Sequence, residues 1–222
     1  MKMLFGLIVV CLMASSLFAI SGATTTGIYQ ARWSGAVTAG TAATQGGNIT
    51  GVNIASTQLT SHWASFNGNV SGTIRLSDTE AGAAVYVWTY TAANGGQVCT
   101  STSATFPTGT YTNATFAAID TAFATTGGPD NASGTFNTTC PTLALSSGAL
   151  TGFIAAAAQG SSNFTTCAMT AGGTAIANHA FCTNIAASTG RNYNNTNVNY
   201  ELLVPSTGGA YGGTYNFYME LN

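Results

Sequence analysis

The chain has 222 residues, of which 45% are hydrophobic and only 5% charged, with a net charge of −2. So few charges leave no basic surface for nucleic acid or anionic lipid, and so many apolar residues exclude a disordered chain. The polar remainder is mostly Thr, Ser, Asn and Gly, which stays in solution through neutral hydrogen bonds or through something attached to it.

The first residues read as an export leader. Lys2 precedes an apolar run from Met3 to Leu12, and Ser21-Gly22-Ala23 fits a small-x-small cleavage site. Cleavage is expected after Ala23, with Ala19 as second choice, so that residues 1–23 form a signal peptide. The competing reading is an uncleaved anchor, because Met3 to Ile20 is about long enough to span a bilayer. No second run of that length follows, so the mature chain is expected outside the cell with no membrane span.

Residues 24–38 read as an N-terminal strand. Tyr29, Ala31, Trp33, Gly35 and Val37 alternate with Ile28, Gln30, Arg32 and Ser34. Thr38 to Gly47 is a small, uncharged connector without periodicity. Residues 39–222 are read as a single β-sandwich domain, a size one core can serve. Within it Asn48 to Ile54 is a strand. Phe66 to Ser77 alternates strictly, with Phe66, Gly68, Val70, Gly72, Ile74 and Leu76 facing inward and Asn67, Asn69 and Arg75 facing water. The inward glycines leave room for large neighbours, for which Trp33, Trp63 and Trp88 are the candidates. Asp78 to Gly82 turns the chain, and Ala84, Tyr86, Trp88 and Tyr90 return it as an antiparallel hairpin.

Gln97 to Thr102 follows as a strand. One short helix is expected where Phe116, Ile119 and Phe123 recur at helical spacing, with Thr112 or Asn113 as N-cap and Gly127-Gly128-Pro129 as the stop. Leu143 to Asn184 is open between strand and helix. At the end, Val198, Tyr200, Leu202 and Val204 alternate, and so do Tyr215, Phe217, Met219 and Leu221. Strands at this spacing with Gly-rich turns point to an all-β fold, an antiparallel sandwich of immunoglobulin-like or jelly-roll-like form with one short helix.

Cys11 leaves with the leader, and Cys99, Cys140, Cys167 and Cys182 remain. An even number in an exported chain favours disulfides. Loop length favours Cys167–Cys182 and Cys99–Cys140, each closing the shorter loop. No CxxC occurs, and His62 and His179 are far apart, so no metal is expected. Asn-x-Ser/Thr occurs at Asn48, Asn69, Asn113, Asn131, Asn137, Asn163 and Asn194, which are candidates for covalent glycans.

Acid–base chemistry needs carboxylates or histidines brought together. Asp78 and Glu80 flank a turn, Glu201 and Glu220 fall on polar strand faces within reach of Arg75 or Arg191, and His62 beside Trp63 reads as structural. Neither a nucleophile elbow nor a phosphate-binding glycine loop occurs. The chain is therefore expected not to be an enzyme and to need no cofactor.

The segments GGNITGVNI, HWASFNGNVSGTIRLSD and the final YELLVP…YNFYMEL resemble a group of secreted archaeal surface proteins. Those share a tryptophan, then G-N-V-S-G-x-I-x-L, and a terminal aromatic strand. The resemblance covers residues 46–90 and 176–222 and implies a folding pattern, with no catalytic residues. The layout is also similar, more loosely, to archaeal thread and bundling-pilus subunits. That likeness implies a glycosylated sandwich whose N-terminal strand completes the next subunit in a head-to-tail homopolymer. Tyr29, Ala31, Trp33 and Val37 would then be donor-strand residues. The alternative is an adhesin or glycan-binding module, for which Tyr193, Tyr211 and Tyr218 are the freer aromatics.

Overall fold

The computed structural model describes residues 24–26, 34–36, 40–44, 47–52, 54–60, 62–76, 83, 85–103, 111–145, 148–150, 153–157, 164–206 and 214–221. The first third holds β1 (Thr24–Thr26), β2 (Ser34–Ala36), β3 (Gly40–Thr44), β4 (Gly47–Val52), β5 (Ala55–Gln58), β6 (Trp63–Gly68), β7 (Gly72–Leu76) and β8 (Tyr86–Tyr90). The middle holds β9 (Gly96–Ser101), β10 (Thr112–Asn113), helices α1 (Phe116–Phe123) and α2 (Ala132–Thr135), β11 (Thr138–Thr139), β12 (Leu143–Leu145), β13 (Gly148–Leu150) and β14 (Ile154–Ala157). The last third holds β15 (Thr165–Thr170), β16 (His179–Asn184), β17 (Gly190–Arg191), β18 (Asn197–Val198), β19 (Tyr200–Pro205) and β20 (Thr214–Leu221).

Every pairing among the described strands is antiparallel, and the fold is all-β with one helix longer than a turn, as the alternation and turn spacing predict. The central sheet runs β1-β20-β9-β16-β15-β14-β11, with β10 also on β15. Two smaller sheets, β19-β6-β5-β2 and β3-β4-β7-β8, are built from the first third and β19. One core joins β6 and β19 to the central sheet. Phe66 meets Tyr215 and Phe217 edge-on, with ring centroids 5.9 and 5.0 Å apart, and Trp63 meets Phe136 at 5.4 Å. Tyr200, Leu202 and Val204 are buried as the alternation requires.

The opposite face of the central sheet is covered too. Cys99, Cys167, Met169, Ala180 and Cys182 form a second cluster there with Tyr111, Leu143 and Phe153. This explains why Leu143 to Asn184 carries no clear period. Strands buried on both faces lose the alternation that marks a half-wet sheet, and β14, β15 and β16 lie in the interior of this one.

Several expectations are corrected. Phe66 to Ser77 is not one strand. It divides at Asn69–Ser71 into β6 and β7, which belong to different sheets, and Gly72 with φ +128 makes the change of direction where L residues are strained. Asn67 is buried rather than wet, because its face of β6, shared with buried Ser65, is covered as well. The hairpin partner β8 pairs with β7 as expected, yet Trp88 is not core: it is 39% exposed, while Trp63 is buried.

The connector from Thr38 to Gly47 is not structureless, since Gly40–Thr44 forms β3 on β4. Of residues 24–38, the described ones are β1, which pairs with β20, and β2, which pairs with β5 in another sheet. Tyr29, Ala31, Trp33 and Val37 lie outside the described residues. The N-cap of α1 is Thr115, whose hydroxyl accepts from the Ala118 N–H at 3.1 Å. Thr112 and Asn113 are taken up by β10, and Asn113 Oδ1 accepts from the Ile154 N–H. A second, single-turn helix, α2, was not foreseen; Asn131 caps it by accepting from Gly134 N–H.

The disulfides are Cys99–Cys182 and Cys140–Cys167, the pairing that loop length did not favour. Cys182 lies in register between Cys167 on β15 and Cys99 on β9. In an antiparallel sheet a residue makes a close, non-hydrogen-bonded pair with only one neighbour, because its N–H and C=O both point to the other. Cys182 makes the close pair with Cys99, at a Cα separation of 4.0 Å. Cys167 is left to Cys140, 5.2 Å away.

Candidate functional site

Two features of the described surface stand out: a cleft beside β19 and the outer edge at β8. The cleft has a volume of about 290 Å³. One wall is Ser65 of β6 with Glu201 and Leu203 of β19; the other is Ala156 of β14 facing Thr166 of β15. Phe164 and Leu59 add apolar surface, and Thr135, Asn137 and Tyr193 stand around it. The two walls are tied together where the Leu203 N–H donates to Thr166 Oγ1 at 2.8 Å.

Glu201 was expected on a polar face beside an arginine. It is instead 95% buried, because the face of β19 opposite the main core is itself covered. Its Oε1 accepts from the Ser65 hydroxyl at 3.1 Å and from the Tyr193 N–H at 3.2 Å. Its Oε2 is buried and has no partner among the described residues. Burial pushes the carboxyl above the ordinary range, while the Tyr193 N–H and the Ser65 hydroxyl pull the other way.

Tyr193 is held by a stapled hairpin. Asn192 Oδ1 accepts from the Asn194 and Thr196 N–H groups at 3.0 and 2.8 Å, Asn195 turns the chain at φ +62, and Arg191 donates to Asn195 Oδ1 at 2.8 Å. Arg191 is thereby committed to this hairpin and not to Glu201.

The other acidic and histidine candidates do not converge on the cleft. Asp120 Oδ1 accepts from Thr125 Oγ1 at 2.6 Å and from the Ala132 N–H at 2.8 Å, which joins α1 to α2. His62 Nδ1 lies 3.0 Å from Asp130 Oδ1, and the Trp63 indole N–H donates to the Asp130 carbonyl. His179 is buried against Phe123. Asp78 and Glu80 lie outside the described residues. Among the described residues no group of three or more His, Cys, Asp and Glu is placed to hold a metal ion.

Of the sequons, Asn113, Asn137 and Asn194 are exposed and Asn69 and Asn131 are half-buried. Asn131 uses Oδ1 for its cap, which leaves the nitrogen to which a glycan would attach. Asn48 sits in β4 opposite Ala43 and Arg75, and Asn163 lies outside the described residues. Tyr218 is part of β20 and donates to the Ser103 carbonyl at 2.7 Å; Tyr211 lies outside the described residues. Of the two described tyrosines, Tyr193 is the exposed one and Tyr218 is half-buried. Sequence reading missed the cleft because Glu201 looked solvated. The available signal was its place inside Tyr200–Pro205, a run otherwise apolar.

At the other feature, β8 is the outermost strand of its sheet. Val85, Tyr86, Val87 and Trp88 are 84, 63, 52 and 39% exposed, so apolar side chains stand out on both faces of an edge. Such an edge offers unpaired N–H and C=O groups to another chain. Comparison with known proteins finds no match to a family model, a curated protein or a solved structure.

Proposed function

We propose that this is a structural extracellular protein, a subunit of a filament or cell coat whose copies join by adding a strand across a sheet edge. The observation that carries the reading is β8. An edge that no described strand covers, bearing exposed Val85, Tyr86, Val87 and Trp88, is what proteins normally avoid and suits a surface meant to be covered. The two disulfides suit an oxidising compartment, and among the described residues no helix is long and apolar enough to cross a membrane.

The N-terminal arm is the strand offered to that edge. β1 and β2 are held by ladders of three residues each, and each is the last strand of its sheet, so releasing them opens no interior ladder. The β3–β4 hairpin begins at Gly40, so residues 24–38 before it are the arm. Extended, an arm of that length reaches roughly 50 Å. Main-chain hydrogen bonds to β8 would supply affinity, with Tyr29, Ala31, Trp33 and Val37 alternating along the strand. Each copy gives one strand and takes one, a head-to-tail contact that does not close and so makes a fibre. Glycans at exposed sequons would keep so uncharged a polymer in solution. The archaeal surface-protein resemblance belongs to this reading.

The test is deletion of residues 24–38 from the exported protein. The deleted form is expected to stay monomeric by light scattering and to bind a peptide of residues 24–38 in a 1:1 ratio. A full-length protein that remains monomeric at high concentration would overturn the assembly mechanism.

A further inference from the structure

We propose that the cleft between β19 and β15 is a binding site for a single neutral sugar unit, with Glu201 and Tyr193 as its recognition groups. Three observations carry this independently of assembly at β8. First, Glu201 is 95% buried, lines the cleft, and holds Oε2 without a partner among the described residues. A buried polar atom of that kind calls for a partner, and the cleft that Glu201 lines is the place from which a ligand hydroxyl would supply one. Second, Tyr193 is 36% exposed beside the cleft on a hairpin stapled by Asn192 and Arg191, a pre-set aromatic face on which the C–H face of a sugar can stack. Third, the remaining lining mixes apolar walls with the hydroxyl and amide groups of Ser65, Thr135, Asn137 and Thr166, a lining suited to a small polyhydroxylated molecule.

The charges decide between ligand classes. Among the described residues no Arg or Lys lines the cleft, so they offer an anion no cationic partner. Among the described residues Glu201 is the carboxyl that lines the cleft, and burial raises its pKa, which weakens its pull on an ammonium ligand. The volume of about 290 Å³ lies at the lower end for small-molecule sites and suits one sugar ring rather than a chain. Asn137, a sequon residue, lines the same cleft, so a glycan attached there would stand beside the bound sugar.

The experiment is saturation-transfer NMR on the exported protein with N-acetylglucosamine, mannose and galactose, each tested singly. Asn137→Gln serves as the background that removes any resident glycan. At least one sugar is expected to receive saturation and to titrate to a plateau. Tyr193→Ala is expected to weaken that binding about fivefold or more, the loss of one contact, while melting unchanged. Glu201→Gln keeps the oxygen that accepts from Ser65 and Tyr193 but replaces Oε2 with an amide nitrogen, and is expected to weaken the same sugar or change which is preferred. Absence of transfer to all three sugars, equal binding by Tyr193→Ala, or displacement of the sugar by methylammonium would overturn the proposal. None of these outcomes bears on the deletion of residues 24–38, so the two ideas fail separately.

Discussion

At the scale of single residues, two buried titratable groups govern the response to pH, and they act in opposite directions. His179 is held below its ordinary value by burial, partly offset by the Ala175 carbonyl 3.0 Å from Nδ1. Its Nε2 is buried with no partner among the described residues, so the proton of the cation would have no acceptor. The unfolded chain therefore binds more protons near pH 6. The stability contributed by neutral His179 is complete above its unfolded value of about 6.5 and is lost as pH falls toward the folded value. Glu201 is the reverse. Its folded value is raised, so the folded chain holds the extra proton, and stability is greatest below the unfolded value of about 4.3 and falls as pH rises toward the folded one. The two slopes have opposite sign, and a chain with so few other charges should show a shallow profile. Urea unfolding from pH 4 to 8 checks this. Glu201→Gln should steepen the rise of stability with pH, and a profile that Glu201→Gln leaves unchanged would remove Glu201 from the account.

At the scale of elements, the strands are set by cross-strand neighbours more than by their own residues. β9 begins at Gly96, with φ +131, where a Cβ would run into the Glu220 carbonyl of β20. Gly96→Ala should therefore cost about 1–3 kcal/mol, the range for a strained backbone, measurable by urea unfolding; a loss below half a kcal/mol would contradict the packing of β9 on β20. Non-reducing peptide mapping should link Cys99 to Cys182 and Cys140 to Cys167. By the chain-entropy estimate these close loops worth about 4.5 and about 3.5 kcal/mol, together about 1 kcal/mol more than the pairing first expected. What was legible in the sequence follows the same logic. β19 and β20 announce themselves because one face of each meets the main core, and α1 because Ile119 and Phe123 lie on its buried side. The pairing of Cys182 was not legible, because it depends on which neighbour makes the close pair. Nor was the burial of Glu201 and Asn67. Alternation tells which side a residue is on, but not whether that side is covered.

At the scale of the whole molecule, the distribution of apolar surface is uneven. The central sheet is buried on both faces, with Phe181 and Val98 on one and Cys182 and Met169 on the other, while β8 leaves Val85, Tyr86, Val87 and Trp88 in solvent. Nothing in the packing of the described core requires those side chains at an edge in solvent, and under the proposed assembly a second strand would cover them. The same exposure makes the idea testable without disturbing the fold. Substitutions at exposed positions usually change stability by no more than about 0.5 kcal/mol, so Val85→Lys and Val87→Lys together should leave the melting temperature near that of the parent. They should nevertheless abolish association, because lysines along an edge oppose pairing with a second strand. Light scattering separates mass from stability, and Trp88 supplies a second signal. Its indole, 39% exposed in the single chain, should emit at shorter wavelength once a neighbouring strand covers it, and Trp88→Phe should remove that shift. A lysine pair that still associates, or an association that leaves Trp88 emission unmoved, would place the contact elsewhere on the surface.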